Sequence, residues 1–123
     1  MRIKFPEDDA RTKWTRHIKN KMLYYGLSEQ RIRNVFNMPD RTEEGIAENT
    51  LAAVKRAKQK KKPEEIWIMY QKITNDNKLI TNNKKSHKSG TKFVMISAWR
   101  YPGITKPGSP IPIPADILEE LIK

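Results

Sequence analysis

His17 and Lys21 stand four residues apart, a spacing that sets an imidazole beside an ammonium along one edge of a helix. A free imidazole titrates near ~6.5, so His17 can take or give a proton at neutral pH. Lys21, or a guanidinium from Arg41 or Arg100, can hold an oxyanion while that proton moves. Tyr70, Lys72 and Trp99 could serve the same centre by proton transfer, phosphate contact and base stacking respectively. Each of the main residues also has a plainer use. His17 can be a core-edge histidine bonded to a neighbour, and Lys21 an aliphatic stem over Trp14 and Tyr25. Arg100 can pair with Glu43 or Glu44 across a sheet.

The charge balance says what kind of anion such a centre would meet. Over 123 residues, 25 Lys and Arg oppose 14 Asp and Glu, a formal charge of +11. Lys55, Arg56, Lys58, Lys60, Lys61 and Lys62 fall within one short run, and Lys84, Lys85 and Lys88 form a second. Arg11, Lys13, Arg16 and Lys19 join Lys21 around the first helical segment. Clusters this dense attract polyphosphates, with an affinity that falls steeply as salt rises, and nucleic acid is the expected ligand. The plainer alternative is a solvated, solubilising surface. Tyr24 and Tyr25 could stack on bases beside Lys21 or pack against a sheet.

Several classes of chemistry drop out. With no Cys there is no disulfide framework and no thiolate metal site. His17 and His87 alone do not make a zinc site. No Gly-rich phosphate loop, nucleophile elbow or EF-hand pattern is present. The acid pairs Glu43-Glu44, Glu64-Glu65 and Glu119-Glu120 are sequence neighbours, not a ligand cluster. We therefore expect no metal and no cofactor. No apolar run approaches the ~18–20 residues that cross a bilayer, and the N-terminus lacks a signal-peptide block. A cytoplasmic protein away from membranes is the expectation.

The elements that must position these residues read as an α+β fold. Residues 2–5 alternate charged and apolar and suit an edge strand. Asp8 and Asp9 can cap a helix whose apolar positions run Ala10, Trp14, Ile18, Met22 and Tyr25. Gly26 would close it, and Ser28 would cap a second helix carrying Ile32, Val35 and Phe36. Propensity favours a helix over residues 47–58, yet Gly45 and Asn49 would also suit a hairpin whose second strand begins at Thr50. Residues 66–73 and 92–101 are strands with two largely apolar faces, hence central. In the second, alternation places Val94, Ile96, Ala98 and Arg100 opposite Phe93, Met95, Ser97, Trp99 and Tyr101. A polar loop over 75–90 separates them. A Pro/Gly-rich connector leads into a terminal helix from Ala115, with Ile117, Leu118, Leu121 and Ile122 facing inward. The whole is one domain, residues 1–123, with a core over about 8–101 and a tail over 102–123. It comprises two N-terminal helices packed on a mostly antiparallel sheet of about four strands, plus that C-terminal helical tail.

This order, helix, helix, hairpin, strand, strand, resembles the RelE-like superfamily of small bacterial toxins, above all the BrnT-type members and a related uncharacterised family. The likeness rests on His17-x-x-x-Lys21-Met22, Tyr25-Gly26-Leu27-Ser28-Glu29, Ile32, Pro39-x-Arg41 and Met95-Ile96-Ser97-Ala98-Trp99-Arg100-Tyr101. Trp99 stands where the family pattern places Arg, and Arg100 follows one residue later, a shift that turns the side chain to the other face. The resemblance favours the hairpin over 41–58. It implies a toxin that cuts RNA in partnership with an antitoxin protein; with the chemistry above, the expectation is a metal-independent endoribonuclease with His17, Lys21, Arg41 and Arg100 at the site. The alternative is a non-catalytic nucleic-acid or ribosome-binding protein on the same scaffold. A third reading is a small interaction protein whose charge recruits an acidic partner.

Overall fold

The structure, a computed structural model, describes residues 5–46, 49–57, 62–73 and 91–121. Its elements run β1 (Thr12–Trp14), α1 (Arg16–Tyr25), α2 (Glu29–Asn37), β2 (Arg41–Glu44), β3 (Thr50–Arg56), β4 (Glu64–Ile73), β5 (Lys92–Pro102) and α3 (Ala115–Leu121). The strands form one five-stranded sheet in the order β1-β5-β4-β3-β2. It is mixed, because β1 lies parallel to β5 while every other neighbour is antiparallel.

The start of the chain departs from the sequence expectation. The segment expected to open the first helix is instead the edge strand β1. Thr12 and Trp14 are buried with Lys13 exposed between them, the two-residue period of a strand. Asp8 and Asp9 cap no helix. Asp9 accepts from the backbone N–H of Arg11 and Thr12, and Asp8 from that of Trp14, which holds the segment extended. The cap of α1 is Thr15, whose hydroxyl accepts from the N–H of Ile18 and donates to the Met95 and Ile96 carbonyls of β5. The proposed strand over residues 2–5 falls mostly outside the described residues, and Phe5 itself is in no strand.

At the end of α1 and the start of α2 the local signals act as read. Gly26 ends α1 at φ +66, a left-handed conformation that costs a residue without Cβ little. The Ser28 hydroxyl accepts from the Arg31 N–H and starts α2. Residues 41–56 form the hairpin, with β3 beginning at Thr50 and Asn49 taking positive φ in the turn. Tertiary pairing overrides helix propensity there, because β3 lies between β2 and β4 and must supply ladder bonds to both.

Both faces of the sheet are apolar, so both need cover. On one face α1 and α2 bury Ile18, Met22, Ile32 and Val35 against Ala53, Ile66, Ile68, Met95 and Ala98. On the other, Ala52, Val54, Trp67, Met69 and Trp99 lie beneath a strap formed by residues 103–121. Ile111 and Ile113 pack there, and Ile117 of α3 is fully buried. Leu118, by contrast, is exposed, and the side chains of residues 121 and 122 lie outside the described set. The strap is anchored by polar contacts. The buried Glu65 carboxylate accepts from the Trp67 indole and from the Thr105 backbone N–H and hydroxyl, while Glu43 accepts from the Gly108 N–H.

One irregularity corrects the face assignment along β5. Met69 pairs with Ser97 but Tyr70 pairs with Met95, so Ile96 is an extra residue, a β-bulge. Before it, Phe93 and Met95 face the helices; after it, Ala98 and Arg100 do, and Trp99 turns to the strap.

Trp67 and Trp99 stack beneath the strap with ring centroids 6.2 Å apart, but only Trp67 has an acceptor for its N–H; among the described residues the Trp99 Nε1 has none. Replacing each by Phe removes similar apolar area, so hydrogen bonding decides the difference. Trp67→Phe should cost at least about 1 kcal/mol more than Trp99→Phe in urea unfolding.

Candidate functional site

Position 17 begins a row along α1. His17, Lys21 and Tyr25 recur every four residues, and α3 lies across them with Asp116 and Glu120, also four apart. The Lys21 ammonium donates to Asp116 Oδ2 at 2.8 Å and lies 3.8 Å from Glu120. The Tyr25 hydroxyl donates to Asp116 Oδ1 at 3.2 Å. His17 Nδ1 lies 2.7 Å from Glu120 Oε1, and its Nε2 lies 2.8 Å from the Ser97 hydroxyl. An ionised carboxylate only accepts, so Nδ1 carries the proton and Nε2 accepts from Ser97.

The electrostatics of this seam follow from partial burial. Desolvation lowers the His17 pKa, and although Glu120 pulls it back up, the net shift is downward from 6.5. Burial alone would lower the Lys21 ammonium, yet the bond to Asp116 outweighs it and the pKa rises above 10.5. Burial alone would raise Asp116, yet Lys21 and then Tyr25 hold it below 3.8. The Tyr25 hydroxyl is pushed well up, first by desolvation and then by Asp116. A neutral imidazole and an ammonium thus sit side by side, both facing carboxylate oxygen.

The remaining predicted residues do not join that pair. Arg100 donates to the Tyr25 and Gly26 carbonyls at the end of α1 and pairs with Glu64, not with Glu43 or Glu44. The Tyr25 carbonyl it bonds is eight residues along α1 from His17, about 12 Å. Arg41 sits on β2, three strand steps or about 14 Å from β5, on the strap face. There it pairs with Glu43, donates to Thr105 and stacks over the Trp67 ring. Trp99 is wholly buried against Trp67, so it presents no face to a base. Tyr70 is half-buried between Phe36 and Phe93, and Lys72 is exposed near the end of β4.

Of the basic runs, Lys55 donates to the Met38 carbonyl, while Arg56 and Lys62 are exposed. With Arg41, Lys55 and Arg56 line a cleft of about 720 Å³ between the end of β3 and the strap, floored by Val54 and Ile104. Lys58, Lys60, Lys61, Lys84, Lys85 and Lys88 lie outside the described residues. Tyr24 is strongly exposed beside Lys21, whose ammonium lies 5.6 Å from its ring, while Tyr25 packs inward against both cores.

Ser97, Asp116 and Glu120 were not among the site residues expected from the sequence. A signal for the acids was present: Asp116-x-x-x-Glu120 repeats the spacing of His17-x-x-x-Lys21 with opposite charge. Among the described residues no cluster of His, Asp and Glu could hold a metal ion, and no helix is long and apolar enough to cross a membrane. Compared with known proteins, the chain matches no family model, no curated protein and no solved structure.

The shifted groups of the seam set its contribution to how stability depends on pH. The His17 contribution is whole above about 6.5 and is lost as pH falls through its lower folded value. That of Asp116 is present above 3.8 and lost below it, and that of Lys21 is lost only when pH rises past 10.5. The thermal midpoint should therefore stay level from pH 7 to 9 and fall in two stages below 6.5. In nitrogen-detected NMR, the His17 ring should show a protonated Nδ1 at pH 7.

Proposed function

We propose that this chain binds RNA as a RelE-like, toxin-type module, with the α1 row as its phosphodiester site and metal-independent endoribonuclease chemistry as its activity. The observation that carries this reading is the pairing of His17 and Lys21, each within 2.8 Å of a carboxylate oxygen. A neutral imidazole and a cation that together hold anionic oxygen are two of the three groups RNA cleavage requires. Between the added β1 and α3, the elements run helix, helix, hairpin, strand, strand, the order on which the family likeness rests.

In this mechanism the strand displaces Glu120, Ser97 accepts from the Nε2–H tautomer of His17, and the freed Nδ1 takes the proton of a ribose 2′-OH while O2′ forms a bond to phosphorus. Lys21 holds the charge on the phosphorane oxygens. The bond from phosphorus to O5′ then breaks, and the leaving oxygen takes a proton from the imidazolium or from water. The products are a 2′,3′-cyclic phosphate and a 5′-hydroxyl end. Arg56, Lys62 and the cleft at Arg41 and Lys55 would hold the flanking strand through its phosphates.

A second reading, RNA or ribosome binding without cleavage, has its own observation: both His17 ring nitrogens already have partners. An antitoxin partner belongs to the first reading and rests on the resemblance alone.

Incubation with mixed-sequence RNA in EDTA separates the two. Cleavage predicts products ending in cyclic phosphate and a loss of at least about tenfold for His17→Ala with the fold intact. Binding without products supports the second reading, and absence of binding at low salt overturns both. Lys55→Ala, Arg56→Ala and Lys62→Ala together should weaken RNA binding and flatten the log–log salt slope by about two.

A further inference from the structure

The seam between α1 and α3 is built like a protein–ligand contact within one chain. Its α1 side offers three donors in a row, and its α3 side offers only carboxylates. Asp116 is held by Lys21 and Tyr25, and Glu120 by His17 with Lys21 nearby. The two carboxylates lie one helical turn apart, about 6 Å, a separation comparable to that of successive phosphates along a nucleic-acid strand. Glu120 is itself exposed over half its side chain, so water and ions reach this seam.

The helix that carries them is weakly held. A seven-residue helix does not persist alone in water, so α3 owes its form to its docking. Among the described residues its docking consists of this seam and one fully buried apolar side chain, Ile117. The rest of the strap is tied independently, through Thr105 to Glu65 and through Gly108 to Glu43. α3 can therefore leave while residues 103–113 remain over the tryptophans.

We propose that Asp116 and Glu120 stand in for two successive phosphates of single-stranded RNA, so that α3 is an internal competitor for the row His17, Lys21 and Tyr25. This rests on the RNA-binding reading and adds to it a two-phosphate subsite and a lid. RNA and α3 exclude one another there, and the apparent affinity is reduced by the fraction of molecules with α3 docked.

The test compares binding of a labelled, mixed-sequence single-stranded RNA by three forms of the chain. Asp116→Asn with Glu120→Gln keeps the shape of α3 and removes its charge. Glu44→Gln with Glu119→Gln removes the same charge from exposed positions outside the seam. A lid closed in nine of ten molecules predicts roughly tenfold tighter binding for the seam variant. The control should gain much less, and adding Lys21→Gln to the seam variant should abolish the gain. Equal gains in both double variants would reduce the effect to net charge and overturn the proposal. No gain in the seam variant, with RNA still bound by the unaltered chain, overturns the lid but leaves the RNA reading standing. If no form binds RNA, the RNA reading itself fails. Hydrogen exchange on the unaltered chain gives an independent readout. The Ile117 and Leu118 amides, which bond the Pro114 carbonyl, should lose protection when RNA binds. Unchanged or increased protection contradicts displacement.

Discussion

A sheet whose central strands lack a polar face must be covered twice, and the rest of this molecule follows from that constraint. Trp67, Met69 and Trp99 point one way while Ile66, Ile68 and Ala98 point the other, so neither face of β4 and β5 tolerates water. Two helices satisfy the first face. The second falls to a segment rich in Pro and Gly, which crosses the sheet in extended form and places isoleucines over the indoles. It must be fastened by side chains because it has no ladder of its own. Glu65 and Glu43 supply the fastenings at one end, and the seam with α1 supplies them at the other.

The seam solves a second problem. β1 pairs with β5 from Phe93 to Met95, so among the described residues the outer edge of β5 has no strand neighbour from Ile96 onward. An uncovered edge invites association with other chains. Here the α1 row and α3 meet beside that edge, and Tyr25 packs against the cores on both faces at once. Burying Lys21 this deeply is tolerable only because carboxylates come with the covering helix. The ionic contacts that seal the sheet are thus the same ones that occupy the candidate anion site.

Much of the framework was legible because its signals are local. Ser28, Gly26 and the apolar spacing of α1 and α2 specify those helices without reference to the rest of the chain. The hairpin at Gly45 and Thr50 was legible only in part, because Gly45 and Asn49 suit a turn while the propensity of residues 47–58 favours a helix. The first strand was missed because Ala10 and Trp14 are also four apart, and only the aspartate bonds to backbone N–H groups reveal that the segment is extended. The site divided in the same way. His17 and Lys21 are neighbours by helical spacing alone, whereas the distances to Arg41 and Arg100 depend on strand order and on face. The linear sequence places α3 only through the matched spacing of Asp116 and Glu120, because a proline-rich connector sets a reach and not a destination.

The extra residue at Ile96 acts as a phase shift within β5. Upstream of it the strand keeps the alternation that seats Phe93 against Phe36; downstream, the alternation is inverted. Without that half-period slip, Trp99 would point into the layer of α1 and α2, and Arg100 would be driven beneath the strap. The guanidinium that closes the end of α1 and the indole that stacks on Trp67 thus owe their opposite destinations to one unpaired peptide unit. It lets a single strand serve two differently phased interiors.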